Sequence, residues 1–471
     1  MTQRHDQLSS TTVPTTTLTA PLEKIENKLA TAFDQTEIQK TLTNTALKPE
    51  QLTHIPNFAK IPSSTKRIKP LNNFLGQDRA RASVEAGIAL PYSGYNIFAV
   101  GTAGLGKKTM IKRLLQQHAK TMQTPDDWVY VYNFKNARQP ISLRFAAGQG
   151  NKFESLLHQA WQTSLKQLER RFSAETYHNR IERIRQITGN EQQLALVELT
   201  KEGEEFDLKL INRHDEHIFV PTILKDNKVV EMSQEDINAL DSKQRAEMNS
   251  NMRYMDKKLE RLGLQLGDLE DEARDKVSEL NRDIAKQVII PRLEAILAKF
   301  KDVHGLEQYL KLYATDIIDN VETILDQEGE EFSPALFNRV PSRYQANVLV
   351  SNKPNTGAPV IFNDFPTHYN LLGHVEQLTQ NGTITTDFTL IRPGALHQAN
   401  GGFLILEAEQ LLEQPYAWQG LKRALKSGQL KLSSLEHMIT LTGSISIEPA
   451  SIPLNIKVIL LAEPEIYYEI L

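Results

Sequence analysis

The chain of 471 residues has no cysteine. That absence excludes disulfide-stapled secreted scaffolds, cysteine-ligated zinc, iron–sulfur clusters and thiol catalysis. No apolar run approaches the roughly 18–20 residues of a membrane span, so no membrane partner is expected. The opening segment, MTQRHDQLSSTTVPTTTLTA, lacks the apolar stretch of a signal peptide. An excess of one charge is missing too, with 54 Lys+Arg against 58 Asp+Glu and a formal net charge of −4. The acidic balance and the lack of a basic helix count against nucleic acid as a partner. What remains is 40% hydrophobic residues and length for about three domains of roughly 150 residues. These features describe a mixed α/β protein, expected in the cytoplasm.

The pattern changes several times along the chain. Residues 1–20 are polar and Thr-rich and predict a disordered tail. Residues 21–70 alternate helical patches with proline breaks and predict a helical lead-in. Over 71–150 a helix-like LNNFLGQDRARASVEAGIAL precedes the strand-like Tyr95–Val100, a glycine-rich turn and the helical KKTMIKRLLQQHAK. A second β-rich run, Trp128–Phe134, follows Pro125. Strand, glycine turn, helix, strand predicts the opening of a parallel nucleotide-binding sheet.

Residues 151–335 are charged and helical in pattern. Met252, Met255, Leu259, Leu262, Leu266, Leu269, Ala273, Val277, Leu280 and Ile284 recur at spacings of three and four. Such a seam predicts a long coiled-coil-like helical hairpin folded on itself, with an intermolecular coiled coil as the alternative. Gly263 and Gly267 weaken it locally. Inside this block Ile218–Met232 reads as a β-hairpin turning at Asp226-Asn227. Over 336–471 short β runs return (ANVLV, PVIFN, GGFLILE, IKVILLAE), so the helical block interrupts one α/β domain.

Three motifs carry chemistry. Gly101-Thr-Ala-Gly-Leu-Gly-Lys-Lys-Thr109 lies between a strand and a helix. Glycines let backbone N–H groups curl around a phosphate, the helix N-terminus adds positive charge, and a lysine reaches the β and γ phosphates. Gly101, Gly106 and Lys107 fit G-x-x-x-x-G-K-[ST]. Lys108 does not, standing where a Mg²⁺-binding hydroxyl is usual. Thr109 comes one residue later, turned by about 100° on a helix. In the second motif, GGFLILEAE, an apolar strand ends in acids. Glu407 is the candidate for the Mg²⁺ side and Glu409 for the general base, while Ala408 occupies the place of the usual water-activating glutamate. In the third, strand Lys457–Leu461 leads to Glu463, a candidate sensor of the γ-phosphate. A loop, Pro366–Glu376, offers Tyr369, Leu371 and Leu372 as candidates for gripping a polypeptide or, equally, as packing residues.

Together these residues resemble the ATPase part of the Lon-like ATP-dependent proteases (endopeptidase La class) of the AAA+ superfamily. The narrower resemblance is to the branch with a large helical insertion in that module. It covers most of the chain from about residue 70. It rests on Phe74–Ala80, the phosphate loop, Asp126–Phe134, Gly357–Glu376, Thr386–Leu412, Ala417–Gly428 and Ser451–Glu463, the run Pro393–Leu412 being most specific. The resemblance implies a P-loop AAA+ sheet binding ATP or ADP with Mg²⁺, for which the motifs offer Glu407 as the metal-side acid and Thr109, one step past the usual hydroxyl position, as a further candidate. It also implies that Lys107 contacts the phosphates, with Gly101, Gly104 and Gly106 shaping the loop and Lys108 and Thr109 beside it. Copies would form a homo-oligomeric ring and feed unfolded or damaged polypeptides to a serine protease domain with a Ser–Lys dyad. Nothing in residues 1–471 matches that dyad, and the AAA+ module is expected to be incomplete at its C-terminal side. A fragment of a longer protein is the first expectation; a truncated product and half of a split system are the alternatives. Two other functions compete: a nucleotide-binding scaffold that scarcely hydrolyses, and a remodelling AAA+ ATPase acting without proteolysis.

Overall fold

The computed structural model describes residues 47–49, 52, 57–58, 61–68, 76–90, 94–213, 216–225, 228–326, 340–380, 383–432 and 447–470. The expected tail over 1–20, most of the 21–70 lead-in and the Asp226-Asn227 turn lie outside them. Contacts divide the chain into two units, Met1–Phe74 and Leu75–Leu471. In the first, the described residues include one 3-10 turn, Thr65–Arg67, whose flanking Ser64 Oγ accepts the Lys66 N–H at 3.3 Å.

In the second unit the framing strands are β1 (Ile97–Val100), β2 (Asp127–Val131), β3 (Ile141–Phe145), β4 (Leu208–Arg213) and β5 (Glu216–Lys225). They continue with β6 (Lys228–Glu231), β7 (Ala346–Val350), β8 (Val360–Asn363), β9 (Phe403–Glu407) and β10 (Lys457–Ala462). The principal helices are α1 (Asp78–Ala89), α2 (Lys107–Ala119), α3 (Gly150–Phe172), α4 (Glu175–Glu204) and α5 (Ser242–Lys299). After them come α6 (Leu306–Asp319), α7 (Ala408–Glu413), α8 (Ala417–Ser427) and α9 (Pro464–Ile470).

A parallel sheet runs β1-β10-β9-β8. Its central strands are nearly continuous apolar runs because both faces are covered. Phe403 and Ile405 pack with Ile111 and Leu115 of α2 and Val84 and Ile88 of α1. Leu404 and Leu406, one residue out of phase, pack on the other face with Leu421 and Ala424 of α8. Two glycines open β9 for a steric reason. A Cβ at Gly402 would lie 2.2 Å from the Pro359 carbonyl oxygen, and one at Gly401 2.5 Å from Pro125 Cβ.

The run after Pro125 does not join this sheet. β2 pairs antiparallel with β3 on one side and β7 on the other. A β-rich composition predicts a strand but not its neighbour. This second sheet lies between two cores: Val129 and Val131 face the helices α3, α5 and α6, while Tyr130 faces the core under α8.

The helical block is an arm. α5 runs for 58 residues and packs along both α3 and α4. It starts with a capping box in which Asp241 accepts from the N–H groups of Lys243 and Gln244. All ten seam residues are buried or half-buried, so the long helix meets partners within its own chain. The hairpin has a third strand: β4-β5-β6 form an antiparallel sheet, and Leu208 and Phe219 pack on Leu199, Met255 and Leu262.

Asp127 roots the arm. The side chain is buried at the start of β2. Its Oδ2 accepts the Gly150 N–H at 2.9 Å, at the first residue of α3. Its Oδ1 accepts the Asn352 N–H at 2.7 Å, just past β7. An added Cβ at Gly150 would come within 3.1 Å of the carboxylate, so glycine lets the helix start this close. Asp127→Ala leaves the buried Gly150 N–H and the half-buried Asn352 N–H without an acceptor and is expected to cost about 3 kcal/mol, with Asp127→Asn, which keeps one acceptor, costing roughly 1 kcal/mol. Urea unfolding checks the order; equal stability of all three proteins contradicts it. Gly263 and Gly267 are exposed with open space at the Cβ position. Replacing each with Ala is therefore expected to stabilise the arm by up to about 1 kcal/mol per site, read as a raised thermal midpoint; an unchanged or lowered midpoint opposes it.

Candidate functional site

The parallel strands place the sequence motifs along one edge. At the end of β1, Val100 pairs with Ala462, and the Gly101 N–H donates to the Ala462 carbonyl at 3.1 Å. The loop then turns through Gly104 and Gly106, at φ +81° and +76°. That left-handed region costs glycine little and other residues much. Gly106 caps α2 without a side chain, so no side-chain acceptor takes up the N–H groups of the first turn. Those N–H groups, the helix dipole and the exposed loop are the features an anion site requires.

Lys107 and Lys108 follow and part company. Lys107 Nζ donates to the carbonyls of Gly101 and of Ala462, the latter at 2.8 Å. Lys108 Nζ lies 3.5 Å from Glu407 Oε1 and 3.4 Å from the centroid of the Phe362 ring, on β8. Glu407 ends β9 in register with Leu461 and precedes the buried Ala408. Glu409 is exposed in the first turn of α7, and Glu463 is half-buried directly after Ala462. The structure therefore gathers the phosphate loop, Glu407 and Glu463 at the carboxyl ends of neighbouring strands. Thr109 is exposed, one helical step beyond Lys108.

Mg²⁺ asks for a shell of oxygens. Around Glu407 the chain places an ammonium and an aromatic ring, and Ala408 carries no oxygen on its side chain. Among the described residues no group of three or more His, Cys, Asp or Glu could hold a metal ion. This set is a poor match to that shell.

The loop candidates divide as well. Leu371 and Leu372 are buried in the core under α8, which removes them from contact with a polypeptide. Tyr369 is exposed, and so is Phe365, which the sequence reading passed over. Gly373 and Gly394 meet backbone to backbone here, an added Cβ at Gly394 lying 2.3 Å from the Gly373 nitrogen.

Residues 356–471 match the family described as LonB-like, AAA domain, and residues 127–160 match the Lon-like LonC helical domain. Both matched segments are Lon-like, which supports a Lon-like protease family for this chain. A Lon protease homolog of Escherichia coli (strain K12) is 35% identical over 106 residues, 22% of this chain and 16% of that protein. The alignment thus spans about a sixth of the relative's length. The AAA match takes in β8, β9 and β10, and the helical-domain match takes in Asp127 and the first turns of α3. The phosphate loop falls in neither match; pairing of β1 with β10 brings it beside the Lon-like AAA strands. The AAA family implies nucleotide binding. Among the described residues no helix is long and apolar enough to cross a membrane.

Phe362, Ala462 and Asp127 were not singled out by sequence reasoning. Phe362 lay in a quoted β run but carried no chemical signal. Ala462 acts through its carbonyl, which every residue has.

One titrating group belongs to the most specific Lon-like segment. His397 is buried, its Nδ1 accepting the Gly394 N–H at 3.3 Å and its Nε2 without a partner. Burial pushes its pKa down to about 4. The unfolded chain, with an ordinary value of about 6.5, binds the proton first. Its contribution to stability is therefore complete above about pH 6.5 and falls away as pH drops toward 4. His397→Asn, which can keep the Gly394 bond without titrating, is expected to flatten this part of the stability–pH curve. Parallel curves for both proteins between pH 7 and pH 4 would refute the assignment.

Proposed function

We propose that this chain is the nucleotide-binding AAA+ part of a Lon-like ATP-dependent serine protease, coupling ATP or ADP binding to the unfolding and delivery of protein substrates. The observation that carries this reading is the placement of Gly101–Lys107 at the carboxyl edge of a parallel sheet, beside Glu407 and Glu463. Open α/β sheets bind ligands at that edge. The role proposed for residues 1–471 is nucleotide response and polypeptide handling. Copies would act as a ring, and Tyr369 with Phe365 are the loop side chains open to polypeptide.

A second reading, a nucleotide-binding scaffold with little hydrolysis, is favoured by a specific feature. Water attack needs a positioned base, and the usual place holds the buried methyl of Ala408. Glu409 is the remaining acid, one residue along and exposed. Turnover by this chain is therefore expected to be slow even where binding is firm.

The test is a titration of the chain with a fluorescent ADP analogue. Lys107→Ala is expected to weaken binding by about tenfold or more, the equivalent of about 1.4 kcal/mol. Unchanged affinity in that variant would remove the phosphate-loop assignment.

A further inference from the structure

Phosphate-loop proteins bring a divalent cation to the nucleotide through two side chains: the hydroxyl after the loop lysine and an acid at the end of a neighbouring strand. Here both positions lie at the same corner, but the first carries a charge of its own. The Lys108 ammonium is 3.5 Å from Glu407 Oε1 and 3.4 Å from the Phe362 ring centroid. It touches the acid that would otherwise face the metal, and its second contact is the face of an aromatic ring. Such a face attracts an ammonium, and it supplies no oxygen to a metal.

Three elements build this arrangement. Lys108 comes from the first turn of α2, Glu407 from the end of β9, and Phe362 from β8, which pairs with β9. Ion pairs of half-exposed side chains are commonly of little energetic weight. This one differs in location, because it joins the two residues that flank the metal position and puts a cation between the phosphate loop and the acid. A dication arriving there would meet a like charge at contact distance and a carboxylate already neutralised.

We propose that Lys108 supplies the positive charge that a divalent cation supplies in other phosphate-loop proteins, so that this chain binds nucleoside di- and triphosphates free of metal. The proposal rests on the nucleotide-binding reading above. It deepens that reading by naming the ligand form and the residue that selects it. Lys107 and Lys108 then act as two cations on one polyphosphate, reached from successive positions of the same helix end.

The experiment titrates the full chain with fluorescent ADP and ATP analogues, once with excess MgCl₂ and once with EDTA. The wild-type chain is expected to bind with affinities equal to within about twofold, and Lys108→Thr to bind at least about tenfold more weakly in EDTA than in MgCl₂. Lys108 is exposed, so the variant is expected to fold, and its melting curve checks this. Wild-type binding that is about tenfold tighter with Mg²⁺ overturns the proposal while the nucleotide reading stands. Metal-independent binding by Lys108→Thr also overturns it. Absence of binding by the wild-type chain in both media, with Lys107→Ala equally silent, removes the nucleotide reading and this proposal together.

Discussion

The carboxylate of Asp127 is the constraint on which the rest of the second unit depends. It holds the N–H groups of Gly150 and Asn352, residues 23 and 225 positions away in the chain. One lies where the chain leaves for the arm and the other where it returns. Two oxygens on one carbon can satisfy both only if the start of α3 and the end of β7 meet beside β2. Beyond that point the arm is held by helix packing, and α5 alone is about 87 Å long at 1.5 Å per residue. An aromatic cluster closes the root: Trp161 stacks on Tyr344 at 4.5 Å, and Phe145 on Phe153 at 4.7 Å. The polar staple gives direction, and the apolar cluster gives most of the adhesion.

The candidate site follows a different logic, that of a helix pinned at its charged end. Lys107 ties α2 to β10 through the Ala462 carbonyl, and Lys108 ties it to β9 through a carboxylate. Adjacent residues on a helix point about 100° apart, so the two ammonium groups bridge to two strands rather than compete for one. The sheet supplies the spacing between those strands, and the glycines at 401 and 402 let β9 enter between its neighbours.

Local pattern made much of this legible. The seam from Met252 to Ile284 follows from spacings of three and four, and its burial follows from the same arithmetic. The loop Gly101–Lys107 could be read because its chemistry is tied to a short motif between a strand and a helix. Partners distant in sequence could not. That β2 pairs with β3 and β7 depends on residues scattered between 127 and 350, and no periodicity encodes it. Lys108 stood out as a departure from a motif, yet its meeting with Glu407 is a property of the folded sheet. Leu371 and Leu372 show the converse: apolar residues in a glycine-containing loop read equally as a gripping surface or as packing, and only the fold draws them inside.

The carbonyl oxygen of Ala462 receives both the Gly101 N–H and the Lys107 ammonium. The ammonium has three N–H donors, and the carbonyls of Gly101 and Ala462 take up two of them. The shared oxygen belongs to the last residue of β10, two positions before α9 begins. One oxygen therefore fastens the loop, the first turn of α2 and the strand that leads into α9 at a single point.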